Sequence, residues 1–423
     1  RHQIQAIESC LSGLAANDRG RLVMACGTGK TFTSLRLTES YLPHGGTVLF
    51  LVPSISLLSQ AVKEWSINAQ LDLSAFAVCS DASTGNRRID EDLTISDLAF
   101  PATTDSVSFM SRFESSITSP TGLRVVFSTY QSIGVVSEAQ AAGLPVFDLI
   151  ICDEAHRTTG LTASGSESSA FMRVHDNDFI KAKKRLYMTA TPKVFSDSNK
   201  LKAEDAGAVI ADMNDEETYG PELHRLGFGE AVERDILTDY KVLILAVDEQ
   251  YVAEKFQKEL ASAENELNLE DTAKIVGCWN GLSKRGLASD DFDYDPEPMK
   301  RAVVFARSIA ESKMVATMFQ QVVDRELEAK SGGTELSCDV EHVDGTFSSF
   351  DRNEKLNWLK EEATPNTARI LTNARCLTEG VDVPSLDAVM FLKPRDSQID
   401  VVQAVGRVMR KAEGKKYGYV ILP

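Results

Sequence analysis

The stretch "RLVMACGTGKT", Arg21 to Thr31, decides the fold. It opens as a short apolar run, turns on Gly27 and Gly29, and ends as the first residues of a helix. A strand feeding a glycine turn and then a helix aims backbone N–H groups at an anion. In that arrangement Gly27, Thr28 and Gly29 can cradle phosphates, Lys30 can reach the β- and γ-phosphates, and the Thr31 hydroxyl can ligate magnesium. Met24 stands where such loops usually carry their first glycine.

Working outward, "RLVMA", "TVLFLVP", "LSAFAVC", "RVVFST", "DLIICDEAH" and "KRLYMTAT" read as strands separated by helical patterns. Continuous apolar runs of this length, rather than alternating ones, indicate parallel strands buried on both faces. The pattern restarts with "KVLILAV", "AVVFA", "VEHVDG", "RILTN", "AVMFLK" and "YGYVIL". The expectation is an α/β protein of two tandem parallel-sheet domains, 1–192 and 241–423, joined by a polar, turn-rich connection over 193–240. Residues 81–120, rich in Ser, Thr and Asp, and residues 250–300 read as insertions.

"LIICDEAH" supplies a second chemical element, four apolar residues that end in adjacent carboxylates. A buried strand would deliver Asp153 to its carboxyl end to hold magnesium, while Glu154 orients and deprotonates an attacking water. Near the other end, "QAVGRVMR" places Gln403, Arg407 and Arg410 at i, i+4 and i+7, one face of a helix, with no acidic residue in the stretch to pair with them.

Composition narrows the class. With 43% hydrophobic and 25% charged residues among 423, the chain reads as a soluble, cytoplasmic globular protein, and no apolar run approaches the roughly 18 residues of a membrane span. Seven cysteines without a CxxC pair or zinc spacing read as reduced thiols. Beginning at Arg1 without a leader, the sequence reads as an excerpt of a longer polypeptide, so further domains are expected. The net charge of −17 by itself argues against a polyanionic partner. Yet residues 248–298 alone hold thirteen acidic and five basic side chains, so the excess is local and a basic groove elsewhere stays compatible with it.

Taken together, these motifs resemble those of the superfamily 2 helicases and translocases from end to end. "MACGTGKT" resembles motif I, "LVPSISLLSQ" motif Ia, "FSTYQSI" motif Ib, "DEAH" motif II and "MTATP" motif III. "AVVFARSIAES" is similar to motif IV, "LTNARCLTEGVDVPS" to motif V and "QAVGRVMR" to motif VI. The resemblance implies two RecA-like domains with ATP and Mg2+ in a cleft between them. It implies that Gln3 in "RHQIQAI" reads adenine, that Gly380 and Asp382 lie beside the nucleotide, and that Arg407 and Arg410 are arginine fingers with Gln403 sensing the bound state. His156, Thr189 and Thr191 would couple the γ-phosphate to the nucleic-acid groove, and Pro53, Ser54, Ser128, Thr129, Arg307, Thr372 and Asn373 would contact the DNA backbone. For these serines and threonines, ordinary turn and cap roles are the alternative.

The spacing of motif V and the Val408-Met409 pair of motif VI depart from the DEAD-box RNA helicase pattern. "DEAHRTTG", "TATPKVF", "YGPELHRLGFGEAVERDILTDYKVLILAVDE" and "LTEGVDVP" instead resemble the motor of single-chain type ISP restriction enzymes. In that family a nuclease precedes the motor, and methyltransferase and target-recognition domains follow it. The sequence offers no NG- or DG-turn hairpin with an aromatic tip to split a duplex, and its 7% aromatics form no stacking platform. The expected activity is therefore ATP-driven translocation on double-stranded DNA; the alternatives are a strand-separating helicase and a DNA-dependent ATPase switch that signals without moving.

Overall fold

Residues buried on both sides need an apolar side chain at every position, and the continuous apolar runs meet that need by becoming parallel strands. The structure, a computed structural model, describes residues 1–79, 102–116, 121–163, 169–196, 208–256, 269–284, 295–328, 336–347, 349–362, 364, 366–374, 383–393 and 398–423. The chain divides into two compact units, Arg1–Ala231 and Val232–Pro423.

The first unit holds β1 (Arg19–Met24), β2 (Gly46–Val52), β3 (Leu73–Val78), β4 (Ala102–Thr103), β5 (Leu123–Thr129), β6 (Leu149–Cys152), β7 (Gly160–Ala163), β8 (Arg185–Thr189), β9 (Ala208–Ala211) and β10 (Glu222–Leu226). Eight of them form one sheet in the order β10-β1-β8-β6-β2-β5-β3-β4. Every pairing in it is parallel, with Val23 opposite Thr189 and Val48 opposite Leu149. All carboxyl ends therefore lie on one edge, where open α/β sheets place their ligand sites. Both faces are covered. Leu49, Val126, Ile150 and Tyr187 share a core with Phe109, Phe113 and Val136. On the opposite face Phe50 and Phe127 both meet Trp65 of the helix Ile55–Asn68 edge-on, at centroid distances of 5.3 and 5.7 Å.

In the second unit β11 (Asp239–Ile244), β12 (Arg301–Ala306), β13 (Ser337–Val343), β14 (Thr367–Ala374), β15 (Ala388–Phe391) and β16 (Tyr417–Leu422) form a wholly parallel sheet, ordered β11-β16-β15-β12-β14-β13. The two-residue period of a strand sorts its side chains between two cores. Val304, Ile370, Met390 and Ile421 pack with Trp279 and Phe319, while Val303, Leu371, Val389 and Val420 pack with Leu359 and Val408.

The stretch 193–240 is more than a connection. It contains β9, which pairs antiparallel with β7, and β10, which extends the first sheet beside β1, and the boundary between the units falls after Ala231. The expected insertions lie partly outside the described residues. Of the 250–300 stretch, Glu249–Lys255 and Leu269–Leu282 are helical, and the second packs Cys278 and Trp279 into the core. Among the described residues no helix is long and apolar enough to cross a membrane.

Candidate active site

The phosphate loop is built by the edge on which β1 ends. Gly27 and Gly29 adopt left-handed φ of 83° and 84°, and the helix Lys30–Tyr41 starts immediately after them. A side chain at Gly29 would be strained by that φ, and its Cβ would lie 2.4 Å from Gln3 Nε2. Thr28 is buried, and its hydroxyl donates to the Ala25 carbonyl at 2.7 Å, bracing the turn. Lys30 Nζ rests on the Met24 carbonyl at 3.4 Å, so the residue in the first-glycine position supplies a backbone seat for the lysine. Two side chains of the helix His2–Ala16 reach the loop: Gln3 Nε2 donates to the Gly29 carbonyl at 3.5 Å and His2 Nε2 lies 3.0 Å from the Thr28 carbonyl. Sequence reading found Gln3 and missed His2, whose only signal was its place beside Gln3.

The carboxylate pair follows β6, two strands from β1. Asp153 is buried, and its N–H continues the sheet by donating to Leu51 O at 2.9 Å. Glu154 is a non-glycine residue in the left-handed region, φ 47° and ψ 47°, a state that costs roughly 1–2 kcal/mol. Its N–H donates to Asp153 Oδ1 at 3.0 Å. Its Oε2 is buried without a hydrogen bond, 3.4 Å from His156 Nδ1. That contact is not an ion pair at neutral pH, because burial lowers the His156 pKa to about 4. His156 Nδ1 also lies 3.1 Å from Thr189 Oγ1, which accepts the Thr191 N–H at 3.1 Å. The structure thus brings Glu154, His156, Thr189 and Thr191 together through the ends of β6 and β8.

These residues fit a magnesium nucleotide. The left-handed glycines leave the loop lined by backbone, Thr31 stands in the first turn of the helix, and a buried carboxylate oxygen awaits a proton donor. No cluster of three or more His, Cys, Asp or Glu occurs among the described residues; a magnesium ion held mainly by phosphate oxygens, one hydroxyl and one carboxylate requires none.

The other expected positions are placed as follows. Pro53 follows β2, and Ser54 caps the helix Ile55–Asn68 by accepting the Leu57 N–H at 3.4 Å. Ser128 and Thr129 are buried at the end of β5 and bond locally, to Thr129 O and Ser132 Oγ. In the second unit Arg307 is exposed after β12. Thr372 and Asn373 are buried: Thr372 Oγ1 donates to Ser312 O at 2.9 Å and Asn373 Nδ2 to Val304 O at 2.9 Å. Ser312 Oγ in turn lies 2.7 Å from His342 Nδ1, whose Nε2 lies 2.7 Å from Asp344 Oδ2. Burial alone would raise the Asp344 pKa, but hydrogen bonds from Thr346 and His342 hold it at about 2. Gly380 and Asp382 lie outside the described residues.

The helix Gln398–Val408 carries Gln403, buried, and Arg407, half-buried. The expected helical face does not reach Arg410. The helix stops at Val408, the Met409 carbonyl accepts the Thr238 N–H at 2.7 Å, and the Arg410 N–H turns back to Arg407 O at 3.3 Å. At this end the helix packs closely on β16, where a Cβ at Gly418 would be 2.3 Å from Val408 O.

A left-handed glycine loop with its lysine, and a carboxylate pair two strands away on the same sheet edge, define a P-loop nucleoside triphosphatase built from RecA-like parallel-sheet units. Residues 1–194 match the family described as type III restriction enzyme, res subunit, and residues 291–412 match the helicase conserved C-terminal domain. The chain is a superfamily 2 helicase motor similar to those of type ISP restriction enzymes. It is 44% identical, with a TM-score of 0.86, to the ATP-dependent type ISP restriction-modification enzyme LlaBIII bound to DNA, over 100% of this chain and 27% of that one. Against a nuclease-deletion mutant of the type ISP enzyme LlaGI in complex with a DNA substrate mimic, the identity is 38% and the TM-score 0.67, with the same coverage. A probable helicase of African swine fever virus is 26% identical over 422 residues, 100% of this chain and 40% of the viral protein. The chain thus spans about a quarter of the solved relatives' length.

Proposed function

We propose that this chain is an ATP-dependent translocase that moves along double-stranded DNA, as the motor of a restriction-modification or related DNA-processing enzyme. The observation that carries the reading is the likeness along the whole chain, at 44% identity, to the motor region of a DNA-bound, ATP-dependent restriction enzyme. The site geometry is what such chemistry requires.

In this reading Gln3 holds the adenine and Gly27, Thr28 and Gly29 wrap the phosphates. Lys30 neutralises the β- and γ-phosphates, and Glu154 orients the attacking water and takes its proton. Thr31 and Asp153 would hold magnesium, which when bound neutralises charge on the phosphate oxygens. Arg407 and Arg410 stabilise charge in the transition state, Gln403 reports the nucleotide state, and Gly380 and Asp382 flank the nucleotide. His156, Thr189 and Thr191 relay the γ-phosphate state from the end of β6 to that of β8. Pro53, Ser54, Ser128, Thr129, Arg307, Thr372 and Asn373 mark the strand ends that track the DNA backbone. Ser128, Thr129, Thr372 and Asn373 are buried and their side chains bond within the fold, so their part is to brace the strand ends rather than to touch DNA.

A translocase on duplex DNA displaces a third strand annealed ahead of it and leaves a forked duplex intact. The expected result with ATP is triplex displacement that vanishes in Lys30→Ala. Fork unwinding without displacement would move the assignment to a strand-separating helicase. DNA-stimulated hydrolysis with neither, and with equal rates on circles and on short linear duplexes, would move it to a switch.

A further inference from the structure

The turn Tyr130–Ser132, which follows β5, reaches across two neighbouring strand ends. In the sheet order β6-β2-β5, β2 lies between β5 and β6, so β5 and β6 are two strand spacings apart, about 9–10 Å. Tyr130 spans that gap: its hydroxyl donates to the Asp153 carbonyl after β6 at 2.9 Å. Gln131 Nε2 ties the same turn to the Pro53 carbonyl after β2 at 3.3 Å, and Thr129 Oγ1 ties it to Ser132 Oγ at 3.1 Å. Tyr130 is fully buried, its ring stacked on Phe171 with centroids 5.1 Å apart. Burial raises its pKa well above the ordinary phenol value, so the hydroxyl stays a donor.

The bond falls on a decisive peptide plane. The Asp153 carbonyl and the Glu154 N–H belong to one rigid unit, and its orientation sets φ of Glu154. That plane is pinned at both ends, by Tyr130 at the carbonyl and by Asp153 Oδ1 at the N–H. Glu154 sits in a backbone region that side-chain-bearing residues rarely adopt, and it persists only where the surroundings over-determine it. We propose that Tyr130 is a positioning residue for ATP hydrolysis, whose hydroxyl holds the Asp153–Glu154 peptide so that the Glu154 carboxylate faces the attacking water. This inference rests on the reading of Glu154 as the group that deprotonates that water.

The test compares steady-state hydrolysis by the wild-type chain, Tyr130→Phe, Glu154→Gln and the double variant, with nucleotide binding followed by a fluorescent non-hydrolysable ATP analogue. Tyr130→Phe keeps the ring and removes the bond; the expected result is a kcat lowered about tenfold, with KM for ATP and analogue affinity within about twofold of wild type. In the double variant the residual rate should equal that of Glu154→Gln alone, the mark of two groups acting through one. Phe171→Leu loosens the ring without touching the hydroxyl and should lower kcat about threefold at unchanged KM; it decides the matter if Tyr130→Phe does not fold. Wild-type kcat in the folded variants, or a tenfold loss that persists on the Glu154→Gln background, overturns the inference. Full activity in Glu154→Gln would instead sink the assignment of the base, and this inference with it.

Discussion

Glu154 combines backbone strain with an unsatisfied buried acceptor, and neither feature benefits the fold. Both are accounted for by the proposed role of Glu154 as the base in hydrolysis. Glu154→Gln keeps the shape and removes the basicity, so hydrolysis should fall by roughly 10² to 10⁴ while nucleotide binding persists. Arg410→Ala should cost about 10³ or more, read as single-turnover hydrolysis at saturating ATP; near-wild-type rates in either variant would withdraw that residue's role. The placement of Lys30, Asp153 and Glu154 just beyond strand ends was legible, because each lies within ten residues of its own strand. The contacts of Tyr130 with Asp153 and of His2 with Thr28 were not, since they join segments 23 and 26 residues apart and carry no local spacing.

Among the elements, strands with four or more consecutive apolar residues were read from sequence, as with "LIIC" in β6 and "TVLFLV" in β2. The edge strand β10, "ELHRL", was not, because one partner strand is enough for an edge and its mixed composition looks like loop. Its membership in the first sheet is why the turn-rich 193–240 stretch serves as more than a connection. The end of the helix Gln398–Val408 escaped reading for a different reason. A periodic pattern runs on through Arg410, whereas the helix ends at Val408, where β16 packs against it at Gly418. Gly418→Ala should therefore push that helix off the sheet. The expected loss is about 1–3 kcal/mol in urea unfolding of the second unit, followed by Trp279, with reduced hydrolysis as Arg407 and Arg410 move. A Gly418→Ala chain with unchanged midpoint and turnover would show that the helix end has room to relax.

For the whole molecule, acid should act unevenly. His156 and His175 are both in the first unit, and burial lowers each pKa from 6.5 to about 4. The His175 ring stays neutral between Tyr187 Oη and the Thr158 carbonyl. Below about pH 6.5 the unfolded chain binds a proton at each histidine that the folded chain refuses until about pH 4. Stability is therefore intact above pH 6.5 and is lost as pH falls towards 4, by on the order of 3 kcal/mol for each histidine at most. In the second unit the Asp344 pKa is lowered to about 2, so the stability it contributes is present above the ordinary aspartate value near 3.8 and is lost only as pH falls towards 2. Urea titrations at pH 7 and pH 5, with Trp65 reporting the first unit and Trp279 the second, should show the first midpoint falling more. Parallel shifts of both would contradict the assignment of neutral buried histidines.

The order of strands in the first sheet has a consequence in time. β1, which carries the phosphate loop, is flanked by β8 and β10, so its neighbours are made about 160 and 200 residues after it. At about 5–20 residues per second, a nascent chain carries the finished loop strand for roughly 10–40 s before β10 exists to cover its outer side. During synthesis the strand that carries the glycine loop is thus among the first made and the last enclosed, an exposed apolar strand for which a growing chain would need shelter.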